Sequence, residues 1–272
     1  MKPSAGLCLR GIVVWIAVAL FAMPIVLLLT APWRAPGSAP PTGVELIPDE
    51  PSVQAFVDAW TLVPLGNSLW NSLWICLWAV PLSLVCASLA ALALTQLGGR
   101  LRMLLIATLL LAAVVPVTAI WIPRFLLFDL FGLIGGSLPL IAPALMGGSP
   151  LFVLLYYVSM RRIPAEIFEA ARMEGAGWLR IWWSLALPLV KPTSGAIAML
   201  ASVLFWGNFI DPLLYLRQEQ SLTAPPMLHQ LELLGPTNWP VYMAGALLIS
   251  APVALLFLFA QRFLWNMDKE QA

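Results

Sequence analysis

Few residues in this chain of 272 are equipped for covalent chemistry. His229 is the only histidine, and Cys8, Cys76 and Cys86 form no C-x-x-C pair. The three lysines, Lys2, Lys191 and Lys269, close no G-x-x-x-x-G-K-[ST] loop of the kind that cradles phosphate. An acid/base or metal centre needs such groups clustered, and the long apolar stretches hold no cluster of acids. What the sequence offers instead is docking chemistry. Eight charged residues fall between Arg161 and Lys191. Within that segment, Pro164 and Glu166 suit a helix start, because proline has no N–H to leave unpaired and an acid favours the positive end of the helix dipole. Ala165, Ala170 and Ala171 supply a small-residue patch that permits close helix packing, and Glu169, Arg172 and Glu174 flank it with charge that selects a partner. Gly175 and Gly177 stop the helix, Ala176 lies between them, and an apolar stretch from Trp178 to Leu187 ends at Pro188. The spacing predicts a short helix over 164–173, a glycine turn, and a second helix lying at the membrane interface. A plain solvated loop, with Glu169 and Arg172 paired at i, i+3, is the alternative.

Polar residues inside the apolar stretches form a second candidate set. Asn67 and Asn71 make a polar edge beside Trp70, Trp74 and Trp78, which recur every four residues. Asn208 and Asp211, just after Trp206, share a helix face at i, i+3. Aromatic platforms beside amides and carboxylates suit a path for polyhydroxylated cargo. An interfacial tryptophan belt with Asn and Ser packing between helices fits Trp74 and its neighbours equally well. Asp211 reads either as an intramembrane functional acid or as an interfacial residue. His229 reads as a surface residue of the last external loop.

These residues must be held by membrane helices. Hydrophobic residues make up 61% of the chain and charged residues only 10%, against roughly 25% charged in a soluble domain. A soluble enzyme and a disordered chain are both excluded. The net charge of +1 gives no basic face for nucleic acid. Charges leave uncharged intervals of 23, 41, 21, 31, 19 and 29 residues, and no other exceeds 12. About 20 apolar residues cross the hydrocarbon core. The expectation is therefore all-α and polytopic, a single transmembrane domain over 1–272 with six spans near 11–32, 68–96, 103–124, 136–160, 192–216 and 241–263. With the N-terminus inside, 11 of the 14 basic residues fall inside and 3 outside, which predicts N-in, C-in topology. The first apolar run is too long for a signal-peptide core and reads as an uncleaved helix. Segment 33–67 reads as an external loop with a short helix near 51–60, and 161–191 as the cytoplasmic loop. The cysteines read as small buried residues. The 24 prolines predict kinked or short spans.

The loop residues resemble a known family. Glu169-Ala170-Ala171, Glu174-Gly175-Ala176, Leu185, Leu187-Pro188 and Lys191-Pro192 are similar to the EAA loop of ABC-type importer permeases. Glu174 stands where that pattern has Asp, and Trp182 where Phe is common. The likeness lies between the fourth and fifth expected spans. It is closest to the carbohydrate-uptake branch, the maltose-type second permease. Trp206-Gly207-Asn208-Phe209-Ile210-Asp211-Pro212-Leu213 resembles that branch's W-N-[DE]-F-x-x-P-L segment, departing at Gly207 and Asn208. The chain also lacks the branch's G-x-x-K-G tail.

The resemblance implies a type I ABC importer permease fold in the bacterial plasma (inner) membrane. It implies that Glu166, Glu169, Ala170, Ala171, Glu174, Gly175, Ala176 and Pro188 couple the chain to ATP hydrolysis. Asn67, Asn71, Trp74, Trp206, Asn208 and Asp211 are candidates for the substrate path. Implied partners are a second permease subunit, two cytoplasmic ATP-binding subunits, an extracytoplasmic solute-binding protein and membrane lipid. No cofactor is implied for this chain, since ATP–Mg would sit on the ATP-binding subunits. The function implied is import of a sugar or glycoside. Other cargo such as a peptide or polyamine, a secondary transporter and a polytopic membrane enzyme are the alternatives.

Overall fold

The computed structural model describes residues 5–38, 40, 48 and 51–271; no strand occurs among them. The external acids Glu45, Asp49 and Glu50 lie outside the described residues. The chain divides into two compact units, 1–66 with 227–251, and 67–226 with 252–272.

In the first unit, α1 (Ala5–Thr30) runs into a tight turn at Ala31–Trp33. Most of its described side chains are exposed and none is buried, as suits a helix immersed in an apolar medium. A short helix, α2 (Gln54–Thr61), lies near the expected 51–60, and Ser52 Oγ accepts from Gln54 N at 3.2 Å near its start. Trp33 meets Phe56 edge-on at 5.3 Å, and Trp60 lies against Gly66.

The second unit is organised by α3 (Leu65–Gln96) and the helices that follow. Ser68, Ser72, Ala79, Ser83, Ala87 and Ala91 are all buried to 1% or less. Their near-fourfold spacing makes one face of α3 a stripe of small residues, which lets neighbouring backbones approach closely. Trp70, Trp74 and Trp78 occupy the opposite face and are exposed. After α4 (Gly99–Val114) come α5 (Val117–Leu130) and the single turn α6 (Leu138–Ile141). A tight turn at Ala142–Met146 leads to α7 (Pro150–Met160). Next are α8 (Ala165–Met173), α9 (Trp178–Ile181), a π-turn (Trp182–Ala186), α10 (Leu187–Leu189) and α11 (Lys191–Trp206). α12 (Ile210–Tyr215) follows, and α13 (Ala224–Glu232) and α14 (Trp239–Gln271) each carry residues of both units. Both α4 and α11 pack on α7. There Tyr156 Oη donates to Ser194 Oγ at 2.9 Å, and the Ser159 and Thr193 hydroxyls share a hydrogen bond. Such hydroxyl pairs between membrane helices contribute about 0.6 kcal/mol each.

Among the described residues, four helical stretches are long and apolar enough to cross a membrane, or up to six if each of two bent pairs is one span. The bends revise the expected boundaries. The stretch 103–124 is two helices, α4 and α5, meeting at 96°. Val115 and Pro116 are extended between them, because a proline disfavours helical backbone in the residue before it and cannot donate. The stretch 136–160 is interrupted at Gly147–Ser149, and 192–216 is broken at Gly207–Phe209 between α11 and α12. The segment Trp178–Leu189 meets α11 at 87°.

The break at Gly147–Ser149 is enforced by packing. Gly148 has φ +74°, and a Cβ there would lie 2.6 Å from Ser83 Oγ on the small-residue face of α3. Left-handed backbone costs a non-glycine residue about 1–2 kcal/mol before the clash is counted. Gly148→Ala is therefore expected to lower the thermal unfolding midpoint in detergent by roughly 3 °C or more, and Gly98→Ala, where a Cβ meets open space, to leave it unchanged.

Candidate functional site

The docking loop is built by local rules. Pro164 stands at the entrance of α8 with extended ψ 138°, Glu166 lies in its first turn and Arg172 in its last. Both charges complement the helix dipole. At the other end Gly175 N donates to Arg172 O at 2.9 Å and Ala176 N to Ala171 O at 3.0 Å. This reciprocal pair is a Schellman closure, which needs a residue in the left-handed region. Gly175 fills that position at φ +80°, with nothing within 4 Å of a Cβ built on it. The glycine is required by backbone conformation and not by crowding.

Glu166, Glu169, Ala170 and Met173 fall at i, i+3, i+4 and i+7, and all four are exposed on one face of α8. The opposite face carries Phe168, the only buried side chain of the helix. The alanine patch is split: Ala165 and Ala170 are exposed, and Ala171 is half-buried. The Glu169–Arg172 pair does not form. Arg172 lies over the Trp178 ring at 5.5 Å instead, leaving Glu169 without an ion pair among the described residues. Glu174 caps α8 through its backbone N–H, and its side chain is exposed.

Pro188 explains the irregular turn after Trp178. It has no N–H to give the carbonyl four residues earlier, and the preceding residues Trp182–Ala186 adopt the wider π geometry. Buried Trp182 donates from Nε1 to Ser88 Oγ at 3.0 Å, anchoring this segment on α3.

The candidate path residues do not form one constellation. Asn67 and Trp74 are exposed on α3, and Trp74 meets Trp78 edge-on at 5.7 Å. The Asn71 amide donates to Gln220 O at 2.9 Å and Leu222 O at 3.1 Å. Ser72 Oγ accepts from Ala224 N at 2.8 Å. Together they pin the segment between α12 and α13. Trp206 is buried at the end of α11.

Asn208 and Asp211 do come together. Asn208 Nδ2 donates to Asp211 Oδ2 at 2.9 Å, and Asp211 N donates back to Asn208 Oδ1 at 3.2 Å. Asp211 is 6% exposed and forms an ion pair with Arg124 of α5. Arg124 Nε also donates to Tyr215 Oη at 2.7 Å, and the guanidinium lies 5.4 Å from that ring's centre. Sequence reasoning overlooked Arg124 and Tyr215. One signal was available: Arg124 and Asp211 are lone opposite charges at the expected outer ends of two spans. His229 pairs with Glu232 at 3.0 Å on the surface of α13, and Cys76 and Cys86 are half-buried free thiols on α3.

Residues 79–265 match the family described as the binding-protein-dependent transport system inner membrane component. The chain belongs to this family. It is a multi-pass membrane permease component, of a family whose ATPase is a separate subunit. Among its relatives is the arabinooligosaccharides transport system permease protein AraQ of Halalkalibacterium halodurans, 28% identical over 247 residues, 88% of this chain and 86% of that protein. Another is the melibiose/raffinose/stachyose import permease protein MelC of Bacillus subtilis, 28% identical over 242 residues, 89% of this chain and 87% of that protein. Among solved structures, a bacterial ABC transporter involved in the import of the acidic polysaccharide alginate aligns at TM-score 0.80 and 21% identity. It covers 97% of this chain and 99% of that one, which establishes the permease fold.

The two Asn71 hydrogen bonds tie α3 to a segment about 150 residues later in the chain. Asn71→Leu removes both donors and leaves two carbonyls unpaired. Faster proteolytic cleavage within 216–224, at unchanged helical content, is the expected result.

Proposed function

We propose that this permease is one of two membrane subunits of an ATP-driven importer for sugars or oligosaccharides. The observation that carries the coupling half of this reading is the exposed face Glu166–Glu169–Ala170–Met173 on a short, closed helix. A carboxylate face with small and apolar neighbours suits a groove with a basic contact. We assign that groove to a cytoplasmic ATP-hydrolysing subunit, since this chain has no phosphate-cradling motif of its own. ATP–Mg would sit on two such subunits. Closing them would displace α8, and the bent segment Trp178–Leu189 would pass that motion to α11. The spans would then alternate between inward-open and outward-open arrangements.

The sugar half is supported by the named cargo of AraQ and MelC, both oligosaccharide permeases by description. An extracytoplasmic binding protein would deliver the cargo, and a second permease would complete the passage. Asn67, Trp74, Trp206 and Asn208 are assigned to the path of this subunit, with Asn71 shaping the loop beside them; Asp211, bound by Arg124 and Asn208, is left out of the path. We assign the subunit to the bacterial plasma membrane with both termini inside, an orientation that the split of 11 basic residues against 3 supports.

Two measurements test this reading. A C-terminal reporter active only in the cytoplasm is expected to be active, and activity of an exported reporter at that end would overturn the orientation. Reconstituted with its partner subunits, the permease is expected to accumulate at least one labelled oligosaccharide from a panel. Glu169→Lys and Gly175→Pro are each expected to cut that uptake more than tenfold while membrane insertion stays normal. Normal uptake by either variant would remove the coupling role.

A further inference from the structure

The coupling and path assignments leave one built polar feature of the second unit without a role: the ion pair of Arg124 with Asp211. Both partners ride on segments set off from the preceding helix. Arg124 lies on α5, which leaves α4 at the 96° bend. Asp211 lies on α12, which starts after the break at Gly207–Phe209. The parent helices α4 and α11 both pack on α7, whereas α12 packs on α5 and α6. Tyr215 sits fully buried where these segments meet. Its ring stacks on Phe125 at 6.4 Å, meets Phe128 edge-on at 5.3 Å, and its carbonyl accepts from Gly135 N at 2.7 Å. The two segments are thus bonded to one another and joined to their parent helices through non-helical residues.

Separating the pair would leave a buried carboxylate and a half-buried guanidinium without their counter-charges, which is unfavourable unless both find new partners. Asn208 is already committed to Asp211, and Tyr215 to Arg124. The two segments therefore resist parting, while the breaks at Val115–Pro116 and Gly207–Phe209 leave them free to turn against their parent helices. We propose that Arg124 and Asp211 are positioning residues that make α5 and α12 swing as one rigid outer cap. Motion arriving along α11 then also displaces the far end of the α4–α5 span. This inference rests on the alternating-access reading above.

The test uses the complete transporter in proteoliposomes, with the three native cysteines replaced by alanine and Phe131→Cys at the exposed end of α5. Labelling of that thiol by a charged, membrane-impermeant maleimide is followed with and without ATP. With the pair intact, ATP is expected to change the labelling rate several-fold. Arg124→Gln and Asp211→Asn are each expected to abolish that ATP dependence while ATP hydrolysis continues. Arg124→Asp combined with Asp211→Arg is expected to restore at least half of it. Persistence of ATP-dependent labelling in the single variants would overturn the proposal, as would failure of the exchanged pair to restore it. A parallel fall in hydrolysis would reduce the pair to a folding element and overturn it too. If labelling is indifferent to ATP with the pair intact, the alternating-access reading itself fails and the inference falls with it.

Discussion

Inside a hydrocarbon layer every backbone N–H and C=O must find a partner within the protein, and this constraint decides where the helices can stop. An uninterrupted helix satisfies it automatically. A break satisfies it only where side chains or neighbouring turns take over the freed groups. Two breaks in the second unit show such a substitute. Gly147 and Gly148 donate back to Ala144 and Pro143, and Ser149 Oγ accepts from Leu151 N. Gly207 N donates to Val203 O, and Asn208 Oδ1 takes the N–H of Asp211 at the start of α12. The irregular points are therefore discrete places between stiff rods. A protein made of rods that turn at discrete joints is suited to transmitting displacement.

The joints occur in a useful order. The exposed face of α8 precedes the π-turn, the 87° bend at Val190 and then α11. Beyond α11 comes the break before α12, with its bond to α5. Trp182 ties the start of this series to the small-residue face of α3 through Ser88. That face allows close approach because it has almost no side-chain bulk to displace. The opposite face, with Trp70, Trp74 and Trp78, is large and exposed. One helix thus serves as a packing wall on one side and an outward aromatic surface on the other.

Much of this was legible in the sequence, for identifiable reasons. Charge is so costly in an apolar layer that its spacing marked the candidate spans. The closure at Gly175 was legible because only glycine readily adopts left-handed backbone at the end of a charged helix. The bends were not legible, because hydropathy measures how apolar a stretch is and not its direction. Pro116 was a signal for one of them. The Arg124–Asp211 bond escaped because its partners are 87 residues apart and one-dimensional reading has no measure of distance across a fold. The role of Asn71 escaped for the same reason: its partners are backbone carbonyls about 150 positions later. The small stripe of α3 was present as a near-fourfold repeat of Ser and Ala, overshadowed by the tryptophans.

The π-turn at Trp182–Ala186 has a consequence for how the loop tolerates changes in length. Connecting segments usually accept insertions and deletions. This one is different, because it runs as a continuous helical stem from Trp178 to Leu189 with a buried tryptophan in its middle. Each residue of a helix turns the chain by about 100°. Removing one residue between Trp182 and Pro188 would keep Trp182 in its slot and rotate α11 beneath it, or keep α11 and swing the exposed glutamates of α8 to another side. Composition can drift in this stem, but its residue count is a mechanical dimension of the protein.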